Sequence, residues 1–574
     1  MKAAKALRLP ALWSLLGALC LTAGAARADL VTDEGAVKRA LSDELARSMQ
    51  KLALPGEPAP YFVGYVLVDR EVLHVNATYG AALLDNYAHV RHVAVTVRVG
   101  SHELEGANTG SFFGAWNVGP IDDDYVALRH ELWRATDDAY KSSLEELSYK
   151  NNMMKTRMAR RTEEFPDFSR EAPHETVRAL QALDVEGGRD GLKRFAAEVS
   201  LALGSVEGLK TAVVGATVER ARRRLLTSEQ TWADEGRRVT ELVLLASTQA
   251  EDGMPIERRL SLTGHEPTSL PPLETLRETA RAFGERLVRA REAPLAENGT
   301  AVILFEGQAA AQLIQALLVP GLDGSPPPRF AQADVDRSFA SKLGFQMTAP
   351  LLDVYDDPTL AKGPAGEALW GSYAADDEGV PARRVSIVEG GVLKTLLMSR
   401  APRREIATSN GHFRLGAGGP AVGTLVVASR QGRSRARLLE LAEREARGSG
   451  IGRRRDVYVV SSLGPTFATT GMLPASFSVS LGSEPALNAE LGLLAVEAYR
   501  FLDGKEEPVR GLVLHELDLR SLRDVVGVGN TPYVHNHMQG LVPATIVTPS
   551  LLVSGVDVRR YSGENPKLMS YPPP

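Results

Sequence analysis

The sequence predicts an α+β protein: an N-terminal mixed sheet with long helices, then a mainly β C-terminal domain. Two shifts in texture lead to this. Up to about residue 297, partly alternating apolar runs are interleaved with long charged helical stretches. Beyond it, short Val- and Leu-rich runs separated by Gly-bearing turns dominate. The main boundary is placed between about 294 and 300, dividing residues 29–297 from 298–558 and leaving 559–574 as a tail.

The first 28 residues read as a signal peptide. Lys2, Lys5 and Arg8 precede the apolar core Leu12 to Leu21, and Ala26-Arg27-Ala28 supplies a small-x-small cleavage pattern. A mature chain starting at Asp29 is expected in an export compartment, most simply a bacterial periplasm. Its apolar core is too short to span a bilayer, and no later segment is apolar enough to cross one, so no membrane span is expected after signal removal. Cys20 is the sole cysteine and lies inside this segment, so the mature chain has no disulfide, thiol nucleophile or thiolate ligand.

Residues 33–53 have the apolar spacing of a helix. Three strand-like runs follow, Tyr61–Val68, Leu73–Leu84 and His89–Val99, suggesting an antiparallel meander. Asp122 to Phe165 lacks internal Gly and Pro and opens on carboxylates, which favour a helix start. Trp133, Ala139, Leu144 and Leu147 mark its expected buried side, and Lys150 to Arg161 its basic end. A further helix over about 174–202 completes a helical insertion spanning 122–202. Strand-like runs recur at 209–216, 224–230, 238–248 and 258–263, before a linker at 265–272 and an amphipathic helix at 273–291. In the second half, 301–318 reads as a strand running into a helix, and Ile387–Leu393 as a hairpin turning on Gly390-Gly391. A charged helix covers 435–449.

The net charge of −5 excludes a global field for nucleic acid. The runs Arg220–Arg224 and Arg453–Arg455 are short, have acidic neighbours, and read as solvated faces. His102-Glu103, His130-Glu131, His265-Glu266 and His515-Glu516 have no second histidine at helical spacing and read as chance pairs; His89 and His92 read as solvated. There is no Gly-x-Ser-x-Gly elbow, and Gly416–Gly419 lacks the Lys-Ser or Lys-Thr of a phosphate loop. Asp376–Gly379 suits a turn, and Asp356-Asp357-Pro358 a loop start.

A longer succession is more specific. Leu352–Leu360 is followed by Gly371-Ser372-Tyr373, Asp376–Pro381, Arg384–Lys394 and Thr408–Gly411, then by Glu497–Gly511 and Thr548–Val553. Over roughly 300–556 this order resembles the C-terminal half of the TldD/TldE (PmbA) family, the metalloprotease-like "modulator of DNA gyrase" proteins. The resemblance implies a His-Glu-x-x-x-His motif on the strand–helix unit, with two imidazoles holding zinc, the glutamate as general base, and a late cysteine as further ligand. Such a metal brings the pKa of bound water from about 15.7 to about 7. Carried over, the first His falls on Phe305, the Glu on Glu306, the second His on Ala310, and the cysteine close to His535 in His535-Asn536-His537.

Phe305 and Ala310 cannot ligate, so no cofactor is expected although zinc is the family's. The resemblance further implies a homodimer, or a heterodimer with a TldD-like subunit, enclosing a cavity where extended or unfolded polypeptide is degraded. Three readings stay open: a TldE-like pseudo-protease or partner subunit without zinc catalysis; an active metallopeptidase with a rebuilt site using Glu306 as base and His535 and His537 as ligands; and a non-enzymatic envelope interaction protein.

Overall fold

The computed structural model describes residues 34–105, 117–155, 166–178, 180, 185–327, 336–448, 455–465 and 492–563. The expected signal peptide, the part of the expected long helix after residue 155 and the last eleven residues lie outside them.

The first sheet contains β1 (Pro60–Thr78), β2 (Ala81–Val99), β3 (Asn117–Gly119), β4 (Glu175–Arg178), β5 (Thr211–Thr227), β6 (Trp232–Gln249) and β7 (Pro255–Gly264). Its order is β3-β2-β1-β5-β6-β4, with β7 also on β6; all pairs are antiparallel except β4–β6. Alternation sends odd-numbered β1 residues to one face. There Val63, Tyr65 and Leu67 pack under α1 (Glu34–Lys51) and α2 (Tyr125–Lys155). Leu73, Val75 and Ala77 pack under α3 (Val185–Gly204) and α4 (Leu273–Arg289). The even-numbered face carries Val66, which shares a buried cluster with Ala375 of the second half.

Several sequence expectations change here. The three N-terminal runs are two 19-residue strands, because Asp69-Arg70-Glu71 is not a turn. In the β1–β5 register Asp69 lies opposite Arg222 and Glu71 opposite Arg220, so charges pair across strands. For the same reason Arg220–Arg224 is not a solvated face: Arg223 and Arg224 are buried, and Arg223 pairs with Glu235 and Asp377. The helix expected from 174 begins only at Val185, since 175–178 form β4. On α2, Trp133 is 45% exposed rather than core, whereas Lys150 is buried against Asp167.

The second sheet contains β8 (Gly299–Phe305), β9 (Asp353–Asp356), β10 (Val385–Glu389) and β11 (Val392–Leu393). After the small pair β12 (Phe413–Arg414) and β13 (Gly419–Pro420) it continues with β14 (Thr424–Ala428), β15 (Asp456–Pro465) and β16 (Leu493–Leu502). It ends with β17 (Lys505–Val509), β18 (Leu512–His515), β19 (Val525–Gln539) and β20 (Val542–Arg560). Its order is β11-β10-β9-β14-β20-β18-β16-β15-β8, and β8 also pairs with β20, closing a ring of five strands. Closure gives β8 two buried faces. Ala301, Ile303 and Phe305 face the main core with α5 (Gln308–Leu317), while Val302 and Leu304 pack under α6 (Arg435–Arg447). At the β10–β11 hairpin Gly390 and Gly391 have φ of 55° and 80°, which the turn requires.

Candidate functional site

The strand–helix unit is built as its sequence suggests. β8 ends at Phe305, which lies between Val460 of β15 and Leu551 of β20. Gly307 turns the chain at φ 53° and caps α5. A Cβ on Gly307 would come 3.8 Å from the Tyr533 ring on β19, so the junction lies against that strand.

Phe305 and Ala310 are both fully buried in the main core, among Ile303, Leu313 and Leu551. Their phenyl and methyl groups fill the volume by packing. Glu306 is half-buried. Its Oε1 accepts from Arg435 Nε at 2.8 Å and its Oε2 from Arg435 Nη2 at 3.1 Å. Arg435, which opens α6, also donates to Glu506 of β17 at 2.6 Å. Both oxygens a general base would use are therefore engaged by one guanidinium fork. No sequence signal pointed to Arg435, which is 129 residues away.

His535 and His537 lie on one face of β19, opposite Ile546 and Ala544 of β20. Both are nearly fully buried, their ring centroids 5.4 Å apart and their planes within 13°. Asn536 points the other way, accepting from Trp370 N and donating to Thr263 and the Ala368 carbonyl. A tetrahedral zinc site draws three or four protein ligands. Among the described residues, Glu306 does not come within ligating range of His535 and His537 in any group of three. With hydrocarbon at 305 and 310, the residues present do not fit the metal.

The group of three that does come together is His515, Glu516 and Asp557, with ligand atoms within 4.8 Å of one another. Sequence reasoning passed over the His515-Glu516 pair; the missing signal is the β18–β20 register, which sets His515 opposite Asp557. The other histidines have local roles. His102 Nδ1 lies 3.1 Å from the Phe168 carbonyl, His265 Nδ1 lies 3.1 Å from the Arg238 carbonyl, and the His130 ring meets Trp133 edge-on. His412 is fully buried beside Asp356, Nε2 to Oδ1 3.1 Å.

The carboxylates at 376–378 hold the two halves together. Asp377 pairs with Arg223 of β5 and Glu378 with Arg98 of β2. Asp376 accepts from the backbone N–H groups of Glu378, Val380 and Phe413. Burial, and then the Glu378 carboxylate, push the Asp376 carboxyl up to about 8.

Residues 298–448 match the model of the PmbA/TldA metallopeptidase C-terminal domain. Over these residues the chain is similar to the PmbA/TldD family. A protein named Metalloprotease from Methanothermobacter thermautotrophicus is 27% identical over 201 residues, 34% of this chain and 40% of that relative. The curated relatives it matches are aligned over 13% and 40% of their own lengths. Two solved structures share the fold. A proposed modulator of a DNA gyrase from Thermotoga maritima superposes with a TM-score of 0.61 at 15% identity, covering 91% of this chain and 100% of that one. TldE from Thermococcus kodakarensis gives 0.58 at 14% identity, covering 90% and 99%. The fold is thus shared with these proteins over both halves, and the metallopeptidase-domain match lies in the second half.

Proposed function

We propose that this protein is a metal-free member of its family, a TldE-like partner subunit that holds extended polypeptide without hydrolysing it. One observation carries the reading. The two positions that would ligate zinc are filled by a phenyl ring and a methyl group at zero exposure. Replacing them with imidazoles would require opening packed core. The bidentate Arg435 contact on Glu306 supports the same conclusion, because the retained carboxylate has a structural partner.

Polypeptide binding is supported by the sheet. Among the described strands β19 pairs only with β20, and its other edge is taken by Arg433 at Gly529 alone. An extended chain can add there through backbone hydrogen bonds, a mode that asks little of side chains. The work would be done beside a catalytic TldD-like subunit, in the export compartment that the N-terminal sequence indicates. Co-purification from the native envelope tests this. The expected result is a complex that cleaves unfolded polypeptide and stops when the partner is removed. Chelator-sensitive cleavage by the isolated chain would refute it.

A further inference from the structure

Between the first sheet and the second half lies a cavity of about 190 Å³. It is on the far side of β19 from His535 and His537, where Asn536 points toward Trp370. The strand register explains its lining. Even-numbered β1 residues face it, and they bring Val68 and Arg70 there beside Ala221 and Arg223 of β5.

Five guanidinium groups line the cavity: Arg70, Arg178, Arg223, Arg237 and Arg414. Glu235 and Asp377 are the lining carboxylates, and Glu219 behind them bonds both Arg70 and Arg237. Two positive charges are left over. Arg178, exposed on β4, makes no ion pair among the described residues. Arg70 Nε, Arg414 Nε and Ser372 Oγ are buried and have no hydrogen-bond partner among the described residues, although Arg414 Nε lies 3.5 Å from Asp377, which it shares with Arg223. Burial, and then the like charges of Arg70 and Arg414, hold the Arg237 guanidinium below its ordinary value even with Glu219 beside it. Trp370, Tyr373, Leu541 and Pro543 supply apolar lining, with the Arg414 guanidinium 4.4 Å from the centre of the Tyr373 ring.

We propose that this cavity binds a carboxylate carrying an apolar or aromatic body, the carboxylate held by the arginines and the body by the lining of Trp370, Tyr373, Leu541 and Pro543. The C-terminal residue of a peptide and a free aromatic acid share that chemistry. Fork-shaped guanidinium donors match a carboxylate bidentately, and the leftover charge is what such a ligand neutralises. The site stands whether or not the chain is catalytic.

Calorimetric titration of the intact chain with N-acetylphenylalanine, its amide, and a ten-residue peptide ending in phenylalanine tests this. The acid is expected to bind and the amide not. Arg178→Glu, at an exposed rim position that leaves the fold intact, is expected to weaken the acid about tenfold or more, as reversing a ligand-facing charge does. Arg237→Gln is expected to remove binding, with its thermal melt confirming a folded chain. If the peptide binds as well as the acid, the ligand is a chain end; if only the acid binds, it is a small molecule. Equal binding of acid and amide, no binding of either, or an Arg178→Glu variant that binds as the wild type does would overturn the proposal. None of these outcomes depends on zinc content or cleavage, so failure here leaves the pseudo-protease reading to its own test.

Discussion

At the β8–α5 junction the chain buries Phe305 and Ala310 completely, and the one charged group, Glu306, is turned outward onto Arg435. At the seam between the two halves it does the reverse. Arg98, Arg223 and Arg400 are buried there, with Asp377 half-buried against Arg223, and Arg98 and Arg400 lie over the Phe168 ring, 3.8 and 3.9 Å from its centre. The first region follows ordinary core packing at the positions where the resemblance places metal ligands. The second maintains costly buried charge, which persists only when every group has a partner. Buried polar groups in this molecule thus gather at the seam and not at the start of α5.

The largest effect is expected at the seam. Arg223→Ala leaves buried Glu235 and half-buried Asp377 without their common partner, and should cost about 4–5 kcal/mol in urea unfolding, in the range for breaking a buried ion pair. A loss under about 1 kcal/mol, the size of a surface pair, would mean that the seam is solvated and the comparison fails. At the junction, Phe305→Ala should cost about 3–4 kcal/mol, as expected for removing a fully buried ring. A near-neutral result there would point to a site with room for something other than hydrocarbon.

The pH dependence sharpens the contrast further. Unfolded Asp376 ionises near 3.8, whereas in the folded chain its carboxyl keeps its proton up to about 8. The native state therefore binds more protons across that window, and stability should fall as pH rises through it. Asp376→Asn should flatten that slope in denaturation midpoints taken along the window. An unchanged slope would assign the effect elsewhere. The smallest effect is expected from Glu306→Gln. Its pair with half-exposed Arg435 should be worth about 1 kcal/mol or less, with no change in polypeptide binding.

Much of this was legible in the sequence because helices announce themselves locally. α1, α4, α5 and α6 follow from apolar spacing and the Gly and Pro that bound them. The long strands were not legible as single elements, since Asp69-Arg70-Glu71 looks like a turn until β5 supplies Arg220 and Arg222 in register. Trp133 was misplaced because a large aromatic on a helix is counted as core by default, yet here it meets His130 at the surface. At the site, the ligand positions were readable from motif order alone. Arg435 on Glu306, Asp557 beside His515 and the arginine cavity were not, because each joins segments far apart in the chain.

Zinc content decides the central claim most directly. The purified chain, equilibrated with zinc and then desalted, should retain far less than one equivalent by elemental analysis. One tightly held zinc per chain, released when His535 and His537 are both changed to alanine, would contradict it.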